Sequence, residues 1–275
     1  MSKTRVLFVS QEIVPFSADS PNSLSARQIP QAVHEKGKET RIFMPRYGKI
    51  NERRHQLHEV IRLSGMNLIV NDTDHPLIIK VASIPQIRLQ VYFIDNEEYF
   101  HRKSFHHDEK GKFFGDNDER MIFFTKGVLE TVKKLGWAPD IIHCHGWFTA
   151  LMPLYIKELY KRDPHFSDAK VIFSAYDDAF EGELDSKISE KISFDNIAKS
   201  STTLLENPTY ENVIKMAAQY SDAFIVGHES MDQKLVEHIE GLDIPVLKQH
   251  AEGDYLTAVD EFFDSVVDGK PVLVG

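Results

Sequence analysis

Two histidines one residue apart, His143 and His145, stand where the short apolar run Ile141-Ile142 gives way to a segment in which Trp147, Leu151, Leu154 and Ile156 recur with roughly helical spacing. Pro139 favours an extended chain ahead of them. Imidazoles at the end of a buried strand can bind a metal, move a proton or hydrogen-bond a ligand. On an extended strand both rings share one face and Cys144 takes the other, so His-Cys-His supplies two ligands where zinc needs four. No metal and no cofactor are expected. Contact of His145 with a ligand is one reading, and a pair of hydrogen-bonded structural imidazoles is the other.

The elements around this turn follow from hydrophobic patterning. Val6 to Ser10 reads as a first buried strand, 15–21 as a loop, and Leu24 to Lys36 as a helix capped by Asn22 or Ser23, ended by Gly37 and kinked or loosened at Pro30. Thr40 to Met44 is a second strand, which makes a β-loop-α-β unit. The segment 57–117 changes character: strands are expected at Met66–Val70, Leu77–Ser83 and Leu89–Ile94 between NDTDHP and IPQI turns, as an antiparallel excursion or added edge strands. A long polar, histidine-rich loop then runs over 97–117. A helix over Asp118 to Leu135 presents Met121, Phe124, Val128, Val132 and Leu135 as one stripe, and further strands are expected at Asp140–His143, Val171–Ser174 and Ala223–Val226. Residues 179–207 read as polar and partly mobile, and 253–268 as a terminal amphipathic helix burying Leu256, Val259, Phe263, Val266 and Val267. The repeated strand-then-helix order predicts an α/β, doubly wound, mostly parallel Rossmann-like sheet with a β-rich insertion, in one domain over 1–275.

Composition narrows the function classes. A length of 275 residues supports a sizeable core without staples, and one cysteine excludes an internal disulfide framework. The amino-terminal apolar run is broken at once by Gln11 and Glu12, unlike a signal peptide, and no apolar run reaches the ~18 residues of a membrane span. The expected address is the cytoplasm, with no membrane partner. A net charge of −10 argues against nucleic acid, whose phosphates need a basic surface, and is compatible with neutral sugars.

With these elements placed, four segments in order, VLFVSQEIVPF (6–16), IFMPRYG (42–48), VYFIDNEEYFHR (91–102) and FFGDNDERMIFF (113–124) followed by PDIIHCHGWFTALMPLYIK (139–157), resemble the amino-terminal catalytic domain of the bacterial glycogen synthase and plant starch synthase family. Their joint occurrence carries the resemblance over roughly two-thirds of the chain. It implies one half of a two-domain, GT-B type glycosyltransferase: the half that holds the glucan acceptor, while a facing domain holds most of ADP-glucose and supplies basic groups for the departing diphosphate. His145 matches the family histidine that contacts the transferred glucose. Asp116, Asn117 and Arg120 match its Asp-Asn-x-x-Arg signature, and Trp147 and Tyr176 are candidates for stacking on a sugar ring.

Competing structural roles stand beside each of these. Helix capping competes for Asp116 and Asn117, a buried ion pair with Asp140 or Glu119 is expected for Arg120, and core packing competes for Trp147 and Tyr176. The cluster His106-His107-Asp108-Glu109 reads as a solvated loop, and Arg53-Arg54-His55 as an exposed turn.

The chain departs from the family pattern at three places. Where the family carries Lys-x-Gly-Gly-Leu, this sequence reads Ser17-Ala18-Asp19-Ser20-Pro21-Asn22-Ser23-Leu24, with neither lysine nor glycine. Ser174-Ala175-Tyr176-Asp177 stands where threonine, isoleucine, histidine and asparagine are usual, and Gly146 where aspartate is common. Two readings follow: a glucan-synthesising hexosyltransferase, alone or completed by a separate donor-domain chain, and a non-catalytic glucan-binding or regulatory module that partners a true synthase. A dinucleotide enzyme on the same kind of sheet would need Gly-x-Gly-x-x-Gly after the first strand, which is absent.

Overall fold

A computed structural model describes residues 3–85, 87, 89–248 and 254–269. Gln86 and Gly253, which fall in expected turn and helix segments, and the two ends of the 1–275 span lie outside the described residues. The chain opens with β1 (Arg5–Ser10), whose Val6 to Val9 are buried on both faces. Burial on both faces calls for helices on both sides of a parallel sheet. The helix α1 (Pro21–Glu35) leads to β2 (Glu39–Pro45), which pairs parallel with β1. The start of α1 differs from the expectation of an Asn22 or Ser23 cap. Ser20 is the cap: its hydroxyl accepts from Ser23 N while the Ser23 hydroxyl accepts from Ser20 N, and Pro21 occupies the first turn, where no donor is lost. The helix continues through the buried Pro30.

After a short α2 (Glu52–His55), which turns Arg53-Arg54-His55 into one helical turn, the antiparallel excursion is present as β3 (His58–Glu59), β4 (Met66–Val70) and β5 (Thr73–Ser83). The expected NDTDHP turn shrinks to Asn71 and Asp72, both at positive φ, a conformation these two residue types tolerate and a two-residue hairpin requires. The strand then runs on through Pro76. Next come β6 (Gln90–Asp95), parallel to β2, and α3 (Glu97–Phe100).

The main helix α4 (Asn117–Lys134) precedes β7 (Ile141–His145), a 3-10 turn over Trp147–Thr149, and α5 (Leu151–Glu158). The strand β8 (Lys170–Ala175) is followed by α6 (Ile188–Ser193), a 3-10 stretch over Lys199–Glu206, and α7 (Tyr210–Gln219). The region 179–207 is therefore structured, contrary to its polar reading. Ile188, Ile192 and Leu205 are buried, and Lys191, itself buried, pairs with Asp118, Glu119 and Asp185. The chain closes with β9 (Ala223–Val226), α8 (Gln233–Glu240), β10 (Val246–Lys248) and α9 (Tyr255–Asp268).

On α9, Val259, Phe262, Phe263 and Val266 form the buried face, while Val267 turns out of the stripe and is exposed. Phe263 packs on Phe8 and His143, and Lys38 holds the helix through Asp260 at 2.7 Å and Asp264 at 2.9 Å. Strand order is β10-β9-β8-β7-β1-β2-β6-β5-β3, with β4 also on β5; β1, β2 and β6 to β10 are parallel. The sheet is thus mostly parallel and mixed at one edge, an α/β fold as the patterning predicts.

Candidate functional site

The order of the strands reverses between β1 and β7: the chain winds outward through β2 and β6, then returns to the other side of β1 with β7 and continues outward through β8, β9 and β10. Ligands of open α/β sheets bind at such a reversal, outside the carboxyl ends of the strands. Here those ends present Ser10-Gln11-Glu12, His145-Gly146 and, just beyond the end of β8, Tyr176-Asp177-Asp178.

The two histidines share a face as the strand period requires, with ring centroids 4.0 Å apart. Both are fully buried. His143 Nε2 and the Ser174 hydroxyl share a hydrogen bond of 2.6 Å, and His145 Nδ1 and the Tyr176 hydroxyl one of 2.9 Å. Burial pushes the pKa of His145 down to about 3 and that of His143 well below the usual value, so both rings are neutral. His145 Nε2 has no hydrogen-bond partner among the described residues. Tyr176, itself buried, lies with its ring nearly parallel to that of His145, centroids 6.2 Å apart, and meets it through the hydroxyl.

Gly146 begins the turn after β7 at φ +82°. The space a side chain would fill is taken by Gln11 and Asn22, within 2.5 Å of an added Cβ. Gln11 Oε1 accepts from Phe148 N at 3.1 Å, while Gln11 Nε2 donates to Asp178 Oδ2 at 2.8 Å. Asn22 Nδ2 donates to the same oxygen at 3.3 Å, and the Tyr210 hydroxyl reaches Asp178 Oδ1 at 3.2 Å and Tyr176 O at 2.7 Å. Asp178 is thus the hub that joins the ends of β1 and β8 to the first turns of α1 and α7. Burial raises its pKa to about 7, with the nearby Glu12 carboxylate adding to the rise and the three donors opposing it. Glu12 is raised in turn by burial, against the hydrogen bond from Ser20. None of the hydrogen-bond partners of Glu12 or Asp178 among the described residues is a lysine or arginine.

A pH dependence follows. The folded state keeps the Asp178 proton up to about pH 7, whereas an unfolded aspartate releases it near pH 4. This contribution to stability is full below about pH 4 and lost as pH rises through about 7. Asp178→Asn, which preserves the neutral form, is expected to gain about 2 kcal/mol over the wild type between pH 5 and pH 8. Urea unfolding at the two pH values measures it; an unchanged difference would mean that Asp178 ionises freely.

On the other side of Gly146 lies an aromatic cluster. Trp147 is nearly fully buried, its ring 4.6 Å from His106 and 4.7 Å from Phe180, so it offers no open face to a sugar ring. His106 also packs on Phe148, which overturns the solvated reading for that residue; a bridge pairs His107 with Phe113 and Asp108 accepts from the backbone of Lys110 and Lys112, while Glu109 is exposed as expected. Arg120 is fully buried without the ion pair expected for it. Its Nε donates to Tyr99 O and its Nη1 to Asn117 Oδ1, and its guanidinium lies 5.3–5.9 Å from the rings of Tyr47, Phe100, Phe114 and Phe148. Burial lowers its pKa to about 10.

Asp140 instead accepts from Arg5 N at the opposite end of the sheet, and Glu119 pairs with Lys191. Helix capping by Asp116 and Asn117 is also replaced. Asp116 is held in a two-pronged pair by Arg102, which outweighs burial and lowers its pKa, and Asn117 donates to His106 O. Asn117, Arg120 and Trp147 therefore meet in one buried cluster next to the turn, while His145 and Tyr176 form a second.

Asp178, Gln11 and Tyr210 are not site candidates in the sequence reading, and Asn22 enters it only as a helix cap. Position was the available signal for three of them: Gln11 directly follows β1, Asp178 lies three residues beyond β8, and Asn22 lies in the loop that departs from the family pattern. Tyr210 is separated from them by the whole of 179–207 and gave none.

A model of the starch synthase catalytic domain matches residues 5–245. The glycogen synthase of Chlorobium limicola is 38% identical over 219 residues, covering 79% of this chain and 44% of that protein. The glycogen synthase of Chlorobium chlorochromatii is 34% identical, covering 87% of this chain and 53% of that one. Among solved structures, the catalytic domain of starch synthase IV from Arabidopsis thaliana, bound to ADP and acarbose, superposes with a TM-score of 0.66 at 19% identity, over 82% of this chain and 45% of that one. The chain spans about half the length of the relatives it matches. By the extent of the family match and the identity to these glycogen synthases, the chain belongs to the starch synthase catalytic domain family.

Proposed function

We propose that this chain acts in glucan metabolism in the cytoplasm as a glucan-binding member of the glycogen synthase type that does not by itself transfer glucose from ADP-glucose. The observation that carries the reading is the Asp178 hub. At the reversal of strand order, where a departing diphosphate would need positive charge, stands the acidic side chain of Asp178, held by Gln11, Asn22 and Tyr210, with Glu12 beside it. In the first turn of α1, where phosphate could otherwise be cradled, Pro21 has no N–H and the amides of Ser23 and Leu24 are taken by Ser20. His145 is fully buried and tied to the Tyr176 hydroxyl, with no surface for a transferred sugar. Glucan as the ligand class is supported by the names of the relatives and by the acarbose held by the Arabidopsis enzyme.

The test is incubation of the purified chain with ADP-glucose and glycogen, alone and with cell extract, while glycogen retention is followed by co-sedimentation. Retention without incorporation is the expected result. Incorporation by the pure chain, abolished in His145→Ala, would overturn the reading. Incorporation with extract that exceeds the extract's own, and none by the pure chain, would instead point to a site completed by a separate donor-domain chain.

A further inference from the structure

Beyond the sealed crevice, the carboxyl ends of β8 and β9 and the first turns of α7 and α8 enclose a pocket of about 350 Å³. That lies at the lower end of the size range of small-molecule sites, about 300–1,000 Å³. One wall is Tyr210, whose hydroxyl is tied to Tyr176 O and Asp178 and whose ring therefore has a fixed position. Met231 and Leu235, both buried, supply apolar surface.

The polar lining is Asp177, Glu211, Asp232 and Lys234. Glu211 is paired with Lys215, and Asp232 caps α8 by accepting from Leu235 N. Asp177 and Lys234 are exposed and neither makes a side-chain hydrogen bond or ion pair among the described residues, which leaves one acceptor and one donor available at the same pocket.

A fixed aromatic ring, a small apolar surface and a free carboxylate with a free ammonium match a polyhydroxylated ring: its C–H face lies on the aromatic, and its hydroxyls both donate and accept. Three carboxylates against one ammonium disfavour a phosphate or diphosphate. We propose that this pocket seats one hexose unit of an α-1,4-glucan, with Tyr210 as the platform and Asp177 and Lys234 as its hydroxyl partners. The assignment rests on the glucan-binding reading above and gives that reading a location outside the buried His145 turn.

Calorimetric titration of the wild type and of the double variant Asp177→Ala/Lys234→Ala with maltoheptaose, ADP and putrescine tests it. Both substituted side chains are exposed, and an unchanged unfolding midpoint shows that the variant is folded. The expected result is maltoheptaose binding that weakens about tenfold or more in the double variant. Equal binding by the two proteins would overturn the pocket and leave the glucan reading standing, whereas no binding of maltoheptaose or glycogen by the wild type would overturn both. ADP or putrescine binding that the double variant abolishes would overturn the sugar assignment in favour of a nucleotide or a cationic amine.

Discussion

Lys191→Met is expected to cost about 3–5 kcal/mol of stability at pH 8, the range seen when one partner is removed from a buried charge cluster. The Lys191 side chain is 6% exposed, and its ammonium lies 2.7 Å from Asp118, 2.9 Å from Glu119 and 3.0 Å from Asp185. These carboxylates come from the first turn of α4 and the segment before α6, so Lys191 fastens the 179–207 region to the main helix, alongside the pair of Lys126 on α4 with Asp195. Asp118 is fully buried, and burial raises its pKa to about 6 even with Lys191 attached. Without the ammonium, its charged form has no counterion. The sign with pH follows: the variant recovers stability by protonating Asp118, so its deficit shrinks as pH falls from 8 to 5. Urea unfolding at both pH values checks this. An equal deficit at the two would assign the loss to packing of the lysine stem instead of to charge.

Gly146→Ala is the second large effect. The turn residue has φ +82° and ψ 161°, a region open almost only to glycine, and an added Cβ would sit 2.3 Å from Asn22 Nδ2 and 2.5 Å from Gln11 Cδ. Backbone strain of about 1–3 kcal/mol adds to an overpacking cost of similar size, so the total expected is about 3 kcal/mol or more. Gly136→Ala is the internal comparison: its φ is +61°, yet nothing lies within 4 Å of an added Cβ, and about 1 kcal/mol is expected there. Chemical unfolding of the two variants separates the terms. Equal losses would show that Gln11 and Asn22 give way, and that the crevice is looser than its hydrogen bonds suggest. The same geometry explains a departure noted from the sequence: the place of the aspartate common in the family is physically occupied by the two amides that hold Asp178.

The sheet was legible because its strands are apolar runs bounded by turn residues. Val6–Val9, Ile141-Ile142 and Ala223–Val226 could be placed with no partner in view, and the shared face of His143 and His145 follows from strand period alone. The site was less legible because its chemistry is made by pairings distant in the chain. Nothing near Arg120 announces that its neighbours would be Tyr99 O, Asn117 and a set of rings in place of an acid, or that Asp116 would be claimed by Arg102. The segment 179–207 looked polar and loose because a composition count cannot see that Lys191 is neutralised by three acids, two of them on α4. Patterning alone placed His145 at the end of its strand, but its hydrogen bond to Tyr176 depends on a side chain 31 residues away.

The central position of β1 also bears on synthesis. One edge of this strand finds β2 by residue 45, whereas the other is closed only by β7, which ends at residue 145. At about 5–20 residues per second, the roughly hundred intervening residues leave that edge open for on the order of 5–20 s on the ribosome. During this time the fully apolar Val6–Val9 face has no second partner, and the nascent chain is at its most adhesive. Truncated chains released before β7 should therefore aggregate or be held by chaperones, while those released after it, with the centre of the sheet closed, should be markedly less sticky.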